Sequence, residues 1–202
     1  MKKMIYIYVI LALMMCVSNG FAQNTTNSNS NQNTTNSSGN TKTSGKKNSD
    51  SKFMMLAATS DMNEIGLSQQ ALSKSTNEEV KKLAQMMIDD HTKSSEELKP
   101  LAASKDVVLP TEMDSKHKSA MGKMTSMSGM EFDTAYVKMM VKDHEKAVAL
   151  YQKEANGGKD AEARAFAAKT LPVVQMHLDM SRKLMSSMSG SKQANNNKMS
   201  GM

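Results

Sequence analysis

From residue 52 to residue 188 apolar residues recur every third or fourth position, and nowhere in that span do they alternate with period two. That periodicity predicts an all-α domain. The first helix is expected over residues 52–75. The second starts at Thr76 or Asn77, where Thr76 and Glu79 have capping-box spacing, and runs to about Ser104. A crossover passes Pro110 and Thr111 into a short helix over residues 112–126. The third long helix follows another capping-box pair, Ser128 with Glu131, and stops at Gly157 and Gly158. The fourth covers residues 160–187 and carries Pro172, where a kink is expected. Four long helices, two tight connections and one long crossover with its short helix between the second and third describe a ferritin-like four-helix bundle.

The apolar stripes carry a polar exception at one level of each helix. In the second helix the stripe reads Val80, Ala84, Met87, His91, Ser94, Leu98 and Leu101; in the third it reads Val137, Met140, His144, Ala147 and Tyr151. In the fourth it reads Ala163, Phe166, Thr170, Val173, His177, Met180 and Leu184. Each of these helices therefore directs one histidine inward. In the first helix the walk Phe53, Ala57, Ser60, Glu64, Leu67, Ala71 places a carboxylate inside, against a competing stripe through Met55, Ala58, Met62, Ile65 and Leu72. Depth orders the four. Glu64 lies 12 residues before Thr76 and His91 lies 15 after it, a mismatch of about 4.5 Å at about 1.5 Å per residue. His144 lies 13 before Gly157 and His177 lies 19 after Gly158, about 9 Å on the same measure, which sets His177 apart. The phrase Met86-Met87-Ile88-Asp89-Asp90-His91 returns as Met139-Met140-Val141-Lys142-Asp143-His144, matching mid-helix segments that suggest a duplicated hairpin.

Composition changes this picture in two ways. The chain has 22 Met in 202 residues, 4% aromatic residues and no Trp. Met87 and Met140 stand four residues before His91 and His144, and Met180 three after His177, so thioethers accompany each histidine as core filler or as soft ligands suited to copper(I). The other change concerns destination. Lys2 and Lys3, the apolar run through residues 4–17 and the small residues up to Ala22 read as a signal peptide over residues 1–22. Leu13 stands three before Cys16, but Met14 and Met15 are too bulky for a lipidation site, and cleavage after Ala22 removes the single cysteine. It also removes two lysines, taking the net charge from +6 to +4 (6 − 2), and no transmembrane span remains. That mild excess, without aromatic stacking residues, argues against nucleic acid as a partner. Residues 23–51, rich in Asn, Ser and Thr, read as a disordered tether, and residues 189–202 as a disordered tail, leaving one domain over residues 52–188.

The histidines admit two readings. They form a metal site with Glu64, in which Asp90 and Asp143 serve as orienting neighbours or added ligands, or they are hydrogen-bonded core residues. A di-iron centre is excluded on pattern. Such centres need Glu-x-x-His, and the residues three before the core histidines are Ile88, Val141 and Val174. A metal here is a single transition ion, with copper, zinc and iron as candidates. The remaining histidine, His117, sits in the crossover among Met113, Met121, Met124, Met127 and Met130, which either pack on the bundle or present a contact surface to a partner.

The stretches from Phe53 to Leu72, Glu78 to Ala102, Ser128 to Ala155 and Ala163 to Leu178 resemble an uncharacterised bacterial family of secreted helical domains of unknown function, often labelled predicted outer-membrane proteins. The resemblance implies a ferritin-like fold, an envelope location and Glu64, His91, His144 and His177 as the positions its motifs single out; it implies no activity. The label cannot mean a barrel, because the pattern holds no strands. The expected function is that of an exported, non-enzymatic bundle in the periplasm or cell envelope, in metal handling or stress protection. Alternatives are a structural module whose methionine-rich crossover meets an envelope protein or the membrane surface, and a redox enzyme at a mononuclear histidine site.

Overall fold

The computed structural model describes residues 44–200, with side chains described over residues 49–190. The expected signal peptide, Cys16 and the tether up to residue 43 lie outside the described residues. Five helices and no strand occur among the described residues: α1 (Ser44–Lys74), α2 (Glu78–Ser104), α3 (Ser115–Met124), α4 (Gly129–Gly157) and α5 (Ala161–Ser200). α1 lies along α2 and α4 along α5, while α1 also faces α4 and α2 faces α5, closing a four-helix square that α3 crosses on the α1 and α4 side. This is the ferritin-like bundle with a short crossover helix that the pattern predicts. No helix among the described residues is long and apolar enough to cross a membrane.

The ends of the helices depart from expectation for local reasons. α1 begins at Ser44 rather than residue 52, so part of the expected tether is helical, and α5 runs through the expected tail to Ser200. Asn77, not Thr76, caps α2: its side chain accepts from the backbone N–H groups of Glu79 and Val80. Asp114 caps α3 by accepting from His117 N, which shortens that helix relative to residues 112–126. Ser128 does cap α4, but without a side-chain hydrogen bond. α5 continues unbroken through Pro172, which is exposed; the backbone group it leaves unpaired can turn to water.

Burial favours the first of the two stripes proposed for α1, although Ala58 of the second is also buried. Phe53, Ala57, Glu64, Leu67 and Ala71 are inside, whereas Met55 is 37% exposed. On α5 the inward face shifts by one residue, through Ala167, Val174, His177, Leu178, Ser181 and Met188, and Met180 is turned outward at 42% exposure. The apolar interior forms two clusters. One gathers Phe53, Leu98, Tyr151, Phe166 and Val174 toward the α4–α5 turn, with Phe53 edge-on to Tyr151 at 5.3 Å between ring centroids. The other gathers Leu67, Val80, Met87, Phe132 and Met140 toward the α1–α2 turn. In every long helix the polar positions, Asp61 and Glu64, His91, His144 and His177, fall between the residues of these two clusters.

The crossover methionines mostly face the bundle. Met124 is buried, Met113, Met121 and Met127 are half-buried, and Met130 is exposed. Gly66 lets Met113 settle against α1, because a Cβ there would sit 2.6 Å from the Met113 sulfur.

One staple ties the start of α1 to the α4–α5 turn. Asp50 accepts from Lys159 N at 3.0 Å and from Asp160 N at 2.8 Å. Glu154 is buried beside it, under Gly158, where a Cβ would meet Glu154 Oε1 at 2.4 Å. Burial, then the Asp50 carboxylate, pushes the Glu154 carboxyl up to about 7. A carboxyl raised on folding favours the fold most below its unfolded value near 4.5, and that contribution is lost as pH rises toward 7. Glu154→Gln should therefore raise the melting temperature at pH 8 by about 2–4 °C and flatten the fall in stability between pH 5 and pH 8. An unchanged pH profile in thermal melts would refute this account of the staple.

Candidate metal centre

The polar layer halfway along the bundle is built from one or two residues of each long helix. Its depth follows from the helix ends. Glu64 is 10 residues before Lys74 and His91 is 13 after Glu78; His144 is 13 before Gly157 and His177 is 16 after Ala161. Both hairpins thus carry the same offset of three residues, about 4.5 Å, within side-chain reach. The expectation that His177 stands about 9 Å out of the layer is corrected here. Gly158, Lys159 and Asp160 cross the turn and do not advance along the axis.

The three histidine rings converge. Their centroids are 5.6 Å apart for His91 and His144, 5.3 Å for His91 and His177, and 5.3 Å for His144 and His177. One nitrogen from each lies within 4.8 Å of the others, so this buried cluster could hold a metal ion. His144 and His177 are fully buried and His91 is 5% exposed. Glu64, 1% exposed, joins them: its Oε2 is 2.6 Å from His91 Nε2 and its Oε1 is 3.6 Å from His144 Nδ1. The 2.6 Å contact lies off the N–H direction, so Glu64 Oε2 and His91 Nε2 are left without an aligned hydrogen bond although the charges touch.

Each ring is oriented through its other nitrogen. His91 Nδ1 lies 2.8 Å from Asp61 Oδ1, His144 Nδ1 lies 2.9 Å from the Met140 carbonyl oxygen, and His177 Nε2 lies 2.9 Å from Asp90 Oδ2. A carbonyl or carboxylate can only accept, so the proton sits on those three nitrogens. The nitrogens turned inward on His144 and His177 then carry lone pairs, and they face each other at 3.3 Å.

Charge follows the same geometry. Burial alone would lower the His91 value, but Glu64 and Asp61 together hold the imidazolium up to about 10. Burial would raise Glu64, yet His91 and then His144 pull it down to about 2. Burial pushes Asp61 up, with His91 opposing. Burial lowers His144 despite Glu64, and burial with the nearby His91 charge lowers His177 to about 4. At neutral pH the layer therefore holds His91 as an imidazolium against the Glu64 carboxylate, with two neutral imidazoles beside it.

Of the residues proposed from sequence, Glu64, His91, His144 and His177 are brought together, and Asp90 orients His177 from the neighbouring helix. Asp143 is not turned to the layer; it accepts from His117 Nε2 at 3.0 Å and from Lys146 at 2.6 Å. Met180 faces out, which removes it as a soft ligand, and the backbone of Met140 is what the layer uses. Asp61 was not foreseen. Its signal is present in the sequence, since it stands three residues before Glu64 on the same face and, like His91, 13 residues from its end of the hairpin.

Comparison with known proteins supplies a family but no chemistry. The family model described as "Domain of unknown function (DUF4142)" matches residues 34–184. A search of curated proteins finds no match. The chain is similar in fold to a crystal structure of a DUF305 fragment from Deinococcus radiodurans, with a TM-score of 0.62 and 10% identity, over 69% of this chain and 96% of that one.

Removing the central cation should expose what it offsets. In metal-free protein, His91→Gln leaves Asp61 and Glu64 buried without it, and urea unfolding at pH 6.5 should show a loss of about 3–5 kcal/mol. The raised His91 value stabilises the fold fully below about pH 6.5, with the benefit lost as pH climbs toward 10, so the gap between variant and wild type should narrow there. A gap independent of pH would show that packing, not charge, carries the effect.

Proposed function

Because the chain belongs to the DUF4142 family, whose description names no activity, we propose from the geometry that it binds one transition-metal ion at the cluster of His91, His144 and His177, with Glu64, in contact with His91, as the fourth ligand. The observation that carries this reading is the 3.3 Å approach of His144 Nε2 to His177 Nδ1 while the outer nitrogen of each ring faces an oxygen acceptor, which leaves a lone pair on each inner nitrogen. Two acceptors at 3.3 Å with no proton between them repel, in a dry layer where screening is weak. A cation between them turns that repulsion into two bonds. The separation also matches: two ligands on a tetrahedral ion with bonds of about 2.0–2.1 Å stand about 3.3–3.4 Å apart. The buried and unaligned Glu64 Oε2 and His91 Nε2 provide the other donors, His91 releasing its Nε2 proton to solvent as the ion binds. Imidazole with carboxylate suits zinc, copper(II) or iron(II), and the hydrogen bonds on the outer ring nitrogens fix each tautomer for coordination.

The proposed setting is the cell envelope, with the N-terminal segment directing export and the polar tether spacing the bundle from its surroundings. The N-terminal lysines, the apolar run and Ala22 support that placement. Four protein ligands in a buried layer leave no coordination position for a substrate on a tetrahedral ion, which favours metal handling over catalysis.

Titration of tag-free protein should give one zinc, copper(II) or cobalt(II) ion per chain, and cobalt(II) should develop the intense visible bands of four-coordination. His144→Gln and His177→Gln should each weaken binding by about 10–100-fold or more, while Met180→Leu leaves it unchanged. Metal at about 100 times Kd should add about 2.7 kcal/mol to stability. No bound ion and no thermal shift with zinc, copper or iron would return the histidines to the role of hydrogen-bonded core.

A further inference from the structure

Where α3 crosses α1 and α4, a cleft of about 340 Å3 leads inward. Carboxylates mark its depth. The side chain of Asp114 is 38% exposed, that of Asp143 11%, and that of Glu64 1%. Glu64 is the member of the donor set that lines the cleft, and its Oε2 is buried with no aligned partner. Ser60, also on the wall, reaches Glu64 Oε1 at 3.4 Å. His117 holds the crossover over this opening, with Nδ1 at 2.6 Å from Asp114 Oδ2 and Nε2 at 3.0 Å from Asp143 Oδ2, while Asn63 donates to Asp114 at 2.8 Å.

We propose that this cleft is the port through which a hydrated divalent transition-metal ion enters and leaves the buried layer. The proposal rests on the metal-binding reading above. A larger cleft of about 520 Å3 runs between α1 and α2, but Glu64, His91, His144 and His177 are all missing from its lining. The two apolar clusters seal the layer along the bundle axis, where a bare cation would lose its hydration without compensation. On the α2 and α5 side, Asp90 is half-exposed and held by His177 Nε2, and the cleft there, walled by Leu83, Met180 and Leu184, has none of the four proposed ligands in its lining. The port instead offers carboxylates at decreasing exposure, so water can be exchanged for protein oxygen in steps. It is also wide enough, since six waters at about 30 Å3 each occupy about 180 Å3. Glu64, facing both the cleft and the imidazoles, is where the ion would pass from the port to its site.

Metal-free full chain mixed with cobalt(II) in a stopped-flow instrument tests this. Thr59→Trp fills the cleft wall and leaves the donor set untouched. An obstructed port slows entry and exit alike, so association and dissociation rates should both fall about tenfold while the equilibrium Kd stays the same. Asp114→Asn keeps a good helix cap but removes the outermost charge; association at low salt should fall about threefold and lose part of its salt dependence. Circular dichroism confirms folding, and Leu56→Trp, on the exposed rim of the same wall, replaces Thr59→Trp if that variant unfolds. Rates unchanged in the tryptophan and Asp114→Asn variants, with binding still weakened by His144→Gln, would overturn the port and leave the site standing. No cobalt binding by the wild type would overturn both.

Discussion

The bundle is organised around a charge placed where the hydrophobic effect would put none. His91 sits as an imidazolium between Asp61 and Glu64, all three buried, at the level where four helices meet. An isolated ion at that depth would cost several kcal/mol, and each partner removes part of that cost only if its helix is in register. The layer therefore acts as a gauge of helix position. A slide of one residue in α1 or α2 would separate the trio and leave charge uncompensated. The apolar clusters on either side tolerate repacking far better, because methionine and alanine adapt to small shifts.

The same constraint explains why the interior is divided in two. Aromatic and aliphatic residues near the α4–α5 turn and methionine-rich residues near the α1–α2 turn never merge, because the polar layer lies between them. Orientation follows from this separation. Each histidine spends one nitrogen on a fixed acceptor, whether Asp61, the Met140 carbonyl or Asp90, and the remaining nitrogens have no direction left but inward. The layer thus gathers a nitrogen from each of three rings where they could hold a metal ion. The crossover helix has its own attachment through Asp114, His117 and Asp143, and these three residues line the opening nearest Glu64.

Much of this was legible in the chain. The period of three and four, the glycines after α4 and the long crossover establish the bundle, and walking the stripes puts Glu64, His91 and His144 inside. The reading failed where space rather than sequence decides. His177 looked misplaced because turn residues were counted as axial rise. Met180 looked internal because α5 turns slightly relative to an ideal stripe. Asp143 looked like a neighbour of the histidines because it precedes one, yet adjacent residues on a helix point about 100° apart, and it meets His117 instead.

Sequence alone determined how many helices there are and which helices carry a histidine, since these depend on spacing along one chain. Tertiary structure alone decided that three rings from α2, α4 and α5 share one layer, that Asp61 and Asp90 orient two of them, and that two lone pairs meet at 3.3 Å. The reason is physical. Hydrophobic periodicity is a property of each helix by itself, whereas the distance between nitrogens on different helices depends on turn geometry, axial offset and rotation, none of which local sequence encodes.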